Sequence, residues 1–162
     1  MTAGCTPLQD LLEFKCSRSI TSFHYTFNVP LEEANIIFQD LLRFLWMTHN
    51  QERLKLDKSV RSIDPAIVVI DEMWHTFILH TRVYMNFCVA NFGTFLHHDP
   101  HPKDDSSRRI YDLNEAELND LVESRRKKYA CIYDLFGEET FKRWYLYYPS
   151  NYSLIKLQQN RK

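Results

Sequence analysis

The stretch from Asp64 to Gly93 constrains the fold of this chain more than any other, because a helix there is apolar on nearly every side. Its main stripe is Ile67, Ile70, Trp74, Phe77, Thr81, Tyr84 and Cys88, and the apolar residues Leu79, Val83 and Ala90 lie on the opposite face. A helix of this kind is buried between other helices. Asp64 can cap its first turn, Pro65 suits the first helical position, and Gly93 can end it. We therefore predict a buried central helix over residues 65–92.

Helical spacing recurs on both sides of this segment. We expect a short helix within the first 16 residues, a helix from Pro30 to about Asn50, a helix from Asn114 to Gly137, and a last helix over residues 138–148. Residues 20–29 differ, because Phe23, Tyr25 and Phe27 alternate with polar residues, which is typical of extended chain.

The predicted fold class is all-α: a single-domain helical bundle around the central helix, with an extended N-terminal arm. One domain is expected for 162 residues. Within it, residues 1–29 are predicted to form the N-terminal helix and arm, residues 30–148 the helical core, and residues 149–162 a C-terminal tail.

The composition narrows the classes of function. A formal net charge of -1 gives no overall field that would attract nucleic acid or anionic lipid, so nucleic-acid binding is not expected. No apolar run is long enough for a membrane span, and the first residues lack a signal-peptide pattern, so we expect a cytoplasmic protein. Cys5, Cys16, Cys88 and Cys131 are too widely spaced for a zinc or redox motif and are predicted to be free thiols.

Asp71 and His75 form the first candidate site. They lie four residues apart, about 40° apart around a helix, and can contact each other or a shared ligand. One interpretation is a buried hydrogen-bonded pair that fixes helix packing. The alternatives are a metal or ligand site and acid–base catalysis.

His97 and His98 follow in a polar loop and offer further nitrogen ligands for zinc or iron. A straight helix from His75 to Gly93 would be about 27 Å long. Because His97 lies only four residues beyond Gly93, the loop can reach His75 only if the helix ends early or kinks. Otherwise these histidines form their own site, cap other helices or face solvent.

Two further clusters are candidate binding surfaces. The residues Arg125, Arg126, Lys127 and Lys128 form the densest basic run, which suits contact with a polyanion or a solvated helix face. The residues Trp144, Tyr145, Tyr148 and Tyr152 form an aromatic cluster near the C-terminus, which suits a partner-binding surface or core packing.

One ordered series of residues resembles a known family. The series is Asp71-x-x-Trp74-His75-x-Phe77-Ile78-Leu79, then Tyr84, Phe87-Cys88, Phe92-Gly93 and His97-His98-x-Pro100. It is similar to the uncharacterised domain of the glycine-rich domain-containing protein family in its bacterial stand-alone form, over about residues 25 to 102. The resemblance implies no established activity, and it marks Asp71, Trp74, His75, Gly93, His97 and His98 as the part to test first.

From the sequence, the leading functional prediction is a non-enzymatic helical module that binds a protein partner. The alternative is a metal-binding or small-ligand-binding protein, including a hydrolytic or redox enzyme, that uses Asp71, His75, His97 and His98 with zinc or iron. A weaker alternative is polyanion contact through residues 125–128.

Overall fold

All the regular structure in the described part of the chain, residues 6–98 and 113–161 of a computed structural model, is helical. The helices are α1 (Leu8–Leu12), α2 (Ser17–Phe27), α3 (Leu31–His49), α4 (Val68–Leu79), α5 (Thr81–Phe92), α6 (Glu115–Lys142), α7 (Tyr148–Asn151) and α8 (Leu154–Asn160). Short 3-10 turns lie at Lys58–Arg61 and Pro65–Ile67, and a π-helical turn lies at Arg143–Tyr147. The predicted all-α, single-domain fold is confirmed.

Helix α3 is the element around which the N-terminal half packs, since it contacts α1, α2 and α4. Aromatic rings fill this core. The Phe38 and Phe77 ring centroids lie 5.2 Å apart, and the Phe14 and Phe87 centroids lie 4.7 Å apart. Because edge-on and tilted ring contacts of this kind add to the free energy of burial, they hold α3, α4 and α5 together.

The predicted central helix is divided in two. Its ends agree with the prediction: the Asp64 side chain accepts a hydrogen bond from the Ala66 amide, and Gly93 adopts the left-handed conformation that ends α5. At His80, however, ψ is 56°, so the helical hydrogen-bond ladder stops and restarts in a new direction. A continuous helix over residues 65–92 was therefore the wrong prediction, although α4 and α5 are both part of the core.

The predicted extended arm over residues 20–29 is also wrong, since Ser17–Phe27 is helix α2. Ile20, Phe23 and Phe27 are buried at helical spacing, whereas Tyr25 is 65% exposed. In an extended chain, Tyr25 would lie on the same side as Phe23 and Phe27. The buried residues are instead spaced three and four residues apart, which is the spacing of one helix face.

The C-terminal segment is more ordered than a tail. Gly137 has φ 81° and ψ 174° and bends the long helix α6, where we predicted a helix end. Helix α8 then follows within residues 149–162 and packs on α2 and α4, with Leu157 buried. The N-terminal half of α6 carries exposed Leu118 and Val122.

Two predictions from composition concern the thiols and the membrane. Cys16, Cys88 and Cys131 are free thiols, and Cys88 is fully buried. Cys5 lies outside the described residues. None of the helices in the part of the chain described combines the length and apolar character that crossing a membrane requires.

Asp40 on α3 joins the two halves of the chain. Its side chain is fully buried and accepts hydrogen bonds from Arg143 at 2.7 and 2.8 Å, from Arg43 at 3.0 Å and from the Tyr148 hydroxyl. The carboxylate raises the pKa of the Arg143 guanidinium through these hydrogen bonds. A buried carboxylate is tolerated only with such partners, so the C-terminal helical segment is tied to α3 at this point.

Replacing Asp40 with alanine should destabilise the fold by about 3 kcal/mol, because Arg143 and Tyr148 then lose the acceptor to which they donate. Urea unfolding followed by circular dichroism measures this loss. As a control, Glu123→Gln removes the carboxylate from an exposed pair with Arg126 and should leave the midpoint unchanged. Equal midpoints for Asp40→Ala and the native protein would contradict this role for Asp40.

Alkaline pH should unfold the protein. Burial raises the pKa values of the Tyr145 and Tyr148 hydroxyls above the ordinary value of 10.0. The native state therefore holds protons that the unfolded state releases, so this contribution to stability is complete below pH 10 and is lost as the pH rises above it. Phenolate absorbance and circular dichroism should show that Tyr145 and Tyr148 ionise together with the loss of the helical signal. Ionisation of every tyrosine with full helical signal would contradict this.

Candidate metal centre

The change of direction at His80 lets the chain after α5 return to the face of α4. Three groups form a chain of hydrogen bonds across this junction. The Trp74 Nε1–H donates to the Tyr84 hydroxyl oxygen at 3.0 Å, and the Tyr84 hydroxyl donates to the Leu96 carbonyl oxygen at 2.7 Å. Because Trp74 and Tyr84 are both buried, these bonds fix residue 96 beside α4 and position His98 two residues further on.

Asp71, His75 and His98 meet at this point. His98 Nε2 lies 2.8 Å from Asp71 Oδ1, and His75 Nε2 lies 3.9 Å from Asp71 Oδ2. One ligand atom from each of the three residues can be chosen so that all lie within 4.8 Å of one another. A metal ion bound at 2.0–2.2 Å by such atoms would hold them roughly 3 to 3.5 Å apart. The three side chains therefore need to move only slightly closer together to bind one ion.

The His98 ring packs against two aromatic rings of α4. Its centroid lies 4.2 Å from that of Trp74 and 4.6 Å from that of His75, and the two imidazoles are nearly parallel at 17°. The His98 side chain is only 12% exposed, whereas that of His75 is 45% exposed. His98 and Asp71 are therefore the fixed part of the group, and His75 is the member that can rotate towards a shared ion.

Glu72 supplies the outer contact that a metal-binding histidine commonly has. The Glu72 Oε2 atom lies 3.7 Å from His75 Nδ1, so the opposite nitrogen, Nε2, is directed towards Asp71. The interaction with Glu72, opposed by partial burial and assisted by Asp71, raises the pKa of His75. A carboxylate on the far side of an imidazole orients the ring and increases its basicity towards a metal.

The group opens onto a cleft of about 880 Å³. Asp71, Trp74, His75 and His98 line it, and so do residues of the connector between α3 and α4. A cleft of this size accommodates a small organic molecule. Any ion held by the three side chains would therefore be accessible to a small ligand.

The structure separates the two neighbouring histidines of the predicted site. His98 reaches Asp71 and His75, whereas His97 is exposed and packs against Phe95 at 4.8 Å between ring centroids. His97 lines the cleft but does not belong to the group of three potential ligands. His101, which follows in the same loop, lies outside the described residues.

Some side chains of the two other predicted binding surfaces are exposed, and others are buried. In the basic run, Arg125, Arg126 and Lys127 are exposed, but Lys128 is buried and donates to Asp64 Oδ2 at 2.8 Å and to the Ser62 carbonyl. The run is therefore not a continuous basic surface of four side chains.

The predicted partner-binding aromatics lie mainly in the interior. Trp144, Tyr148 and Tyr152 are buried, and Tyr145 is partly buried against Tyr129 at 4.3 Å between ring centroids. The role in partner binding that we predicted for them would require these side chains to leave the core.

Sequence reasoning missed three groups that shape the site. Tyr84 was assigned only to the apolar stripe, Glu72 was assigned no role, and the charged connector carrying Lys58 and Arg61 was not placed near the histidines. One signal for Tyr84 is its hydroxyl, since a buried tyrosine hydroxyl needs a hydrogen-bond partner. Glu72 stands three residues before His75, a spacing at which helical side chains meet.

Replacing Tyr84 with phenylalanine should remove the link between Trp74 and Leu96. We expect a loss of about 1–3 kcal/mol of unfolding free energy, because the indole N–H and the carbonyl oxygen are left without their partner. Urea unfolding followed by tryptophan fluorescence measures it. The matched control is Tyr25→Phe, which removes a hydroxyl from an exposed ring and should change the midpoint little. The same small change for Tyr84→Phe would contradict this role.

Comparison with known proteins identifies the family. The model of the UCP032817-like family, which is uncharacterised, matches residues 15–113. The search of curated proteins found no match. The search of solved structures found none either. Nothing in these comparisons points to the glycine-rich domain-containing protein family, so the resemblance inferred from the Asp71 to Pro100 series was wrong. The matched segment covers more than half of the chain and includes Asp71, His75 and His98, and the chain therefore belongs to the UCP032817-like family.

Proposed function

We propose that this protein binds a divalent transition-metal ion through Asp71, His75 and His98. The observation that carries the proposal is the meeting of one carboxylate and two imidazoles, with ligand atoms within 4.8 Å of one another, beside an open cleft. In this arrangement the metal ion would take the place of the proton between His98 Nε2 and Asp71 Oδ1, and that proton would move to His98 Nδ1 or be released to solvent.

The donor set favours zinc or iron. Two imidazole nitrogens and one carboxylate oxygen form the three-ligand set of several catalytic zinc sites and of the non-haem iron sites that keep open positions. Magnesium and calcium prefer oxygen ligands, so two histidines select against them. Three protein ligands leave at least one coordination position for water or for a ligand in the cleft.

The surroundings support metal binding over a purely structural pair. A hydrogen bond between His98 and Asp71 would satisfy both side chains by itself, and it does not require His75 nearby. Yet His75 is directed by Glu72 and stacks on His98 while remaining 45% exposed. A half-exposed histidine held against a carboxylate and a second imidazole contributes little to the core, but it suits a metal ligand.

A second candidate function is the protein-interaction module that the sequence favoured, located at a different surface. A groove of about 630 Å³ lies between α3 and the C-terminal segment. Its margins carry Ile36, Leu146 and Tyr147, which are 41%, 62% and 43% exposed. Exposed apolar side chains around a groove are typical of a surface that contacts another protein. This candidate ranks second because nothing in the groove identifies a partner.

Metal binding is tested by titrating untagged, chelator-treated protein with Zn²⁺ in a calorimeter. We expect one Zn²⁺ per chain, and His75→Ala should weaken binding by more than about 100-fold, because losing a ligand exceeds the effect of losing an outer contact. Glu72→Gln should weaken it by about 10-fold to 100-fold. His75 is partly exposed, so its removal should leave the thermal midpoint nearly unchanged.

The matched control is His97→Ala, which removes an exposed histidine of the same loop that lies outside the group of three. Its Zn²⁺ affinity should stay within about threefold of the native value. The proposal fails if the native protein takes up no Zn²⁺ at one equivalent. It also fails if His97→Ala weakens binding as much as His75→Ala.

A further inference from the structure

Positively charged side chains also line the cleft beside the three potential metal ligands. Lys58 and Arg61 lie on the 3-10 turn of the connector, line the cleft and are exposed. The acid near Arg61 is Glu52, at 3.9 Å, and its side chain is 89% exposed. An exposed pair at that distance is weak, so a ligand can take the place of Glu52.

The acids that line the cleft in the described ranges are already engaged. Asp64 is paired with the buried ammonium group of Lys128 at 2.8 Å and accepts the Ala66 amide. Asp71 is occupied by His98 and is one of the proposed metal ligands. Lys58 and Arg61 therefore retain a positive charge that these two carboxylates do not neutralise, and a bound divalent ion would add to it.

Thr48, His49, Ser62 and His97 also line the cleft, and most of the remaining lining in the described residues is apolar. This apolar part includes Phe44, Val68, Trp74, Phe95, Leu96 and Leu154. An apolar cavity with a few charged groups is the usual form of a site for a small organic ligand. The guanidinium of arginine has the planar geometry that pairs with carboxylate and phosphate oxygens.

We propose that the cleft binds a small organic molecule bearing an oxyanion group, a carboxylate or a phosphate, recognised by Arg61 and Lys58 next to the metal ion. The proposal rests on the proposed metal-binding function and adds the chemical class of the ligand. The apolar body of the ligand packs against the aromatic walls, and its charge selects it over neutral molecules of the same shape.

The experiment uses the zinc-loaded protein and three probes that share a phenyl ring. Benzoate and phenylphosphonate carry the two oxyanions, and benzamide is the neutral analogue of benzoate. Affinities are measured by calorimetry for the native protein and for a double variant with Arg61→Gln and Lys58→Gln. Arg82→Gln, which removes an exposed positive charge on α5, is the matched control. The Zn²⁺ affinity of each variant is measured first.

We expect at least one anionic probe to bind at least about tenfold more tightly than benzamide, and the double variant to lose about tenfold or more of that affinity. Zn²⁺ affinity in the double variant and probe affinity in Arg82→Gln should stay within about threefold of native values. If Zn²⁺ binds but the anionic probes do not, or bind the double variant equally well, the anion inference is overturned while the metal proposal stands. If Zn²⁺ does not bind, the metal proposal fails and this inference fails with it.

Discussion

Where α4 ends at His80, one residue outside helical geometry determines how the rest of the candidate site is assembled. A straight helix would carry Gly93 about 27 Å from His75, beyond the reach of a loop only a few residues long. The break lets α5 turn back, and the hydrogen bonds from Trp74 to Tyr84 and from Tyr84 to Leu96 hold the returning chain against α4. His98 reaches Asp71 because of this turn.

Helix ends were predictable where a residue has a specific backbone role. The side chains of Asp64 and Asn114 accept hydrogen bonds from backbone amides at helix starts, and Asn114 forms a capping box with Glu117. Gly93 adopts the positive φ that ends α5, which glycine allows because it has no side chain. The break at His80 was not predictable in this way, because neither glycine nor proline occurs there. In the fold, His80 Nε2 lies 3.3 Å from the Ser22 hydroxyl on α2, a tertiary contact that no local pattern encodes. Helix α2 was missed because alternating aromatics masked a helical set of buried residues.

The sequence predicts most residues of the site but not their geometry. The spacing of Asp71 and His75 shows that they share a helix face, yet choosing His98 over His97 requires the path of the returning chain. The presence of Arg61 in the same cleft as these histidines likewise comes from the packing of the connector, which no local pattern encodes. For the aromatic residues near the C-terminus, their number alone does not tell whether they are buried in the core or exposed on the surface. Here Trp144 and Tyr148 are buried in the core.

Nitrogen-15 NMR of the histidine rings, recorded before and after one equivalent of Zn²⁺, tests the central claim most directly, because it reports each imidazole separately. The account predicts that one ring nitrogen of His75 and one of His98 shift to metal-bound values, while His97 and His24 keep their positions. Spectra in which His75 and His98 are unchanged by Zn²⁺, or in which His97 responds in place of His98, would contradict it.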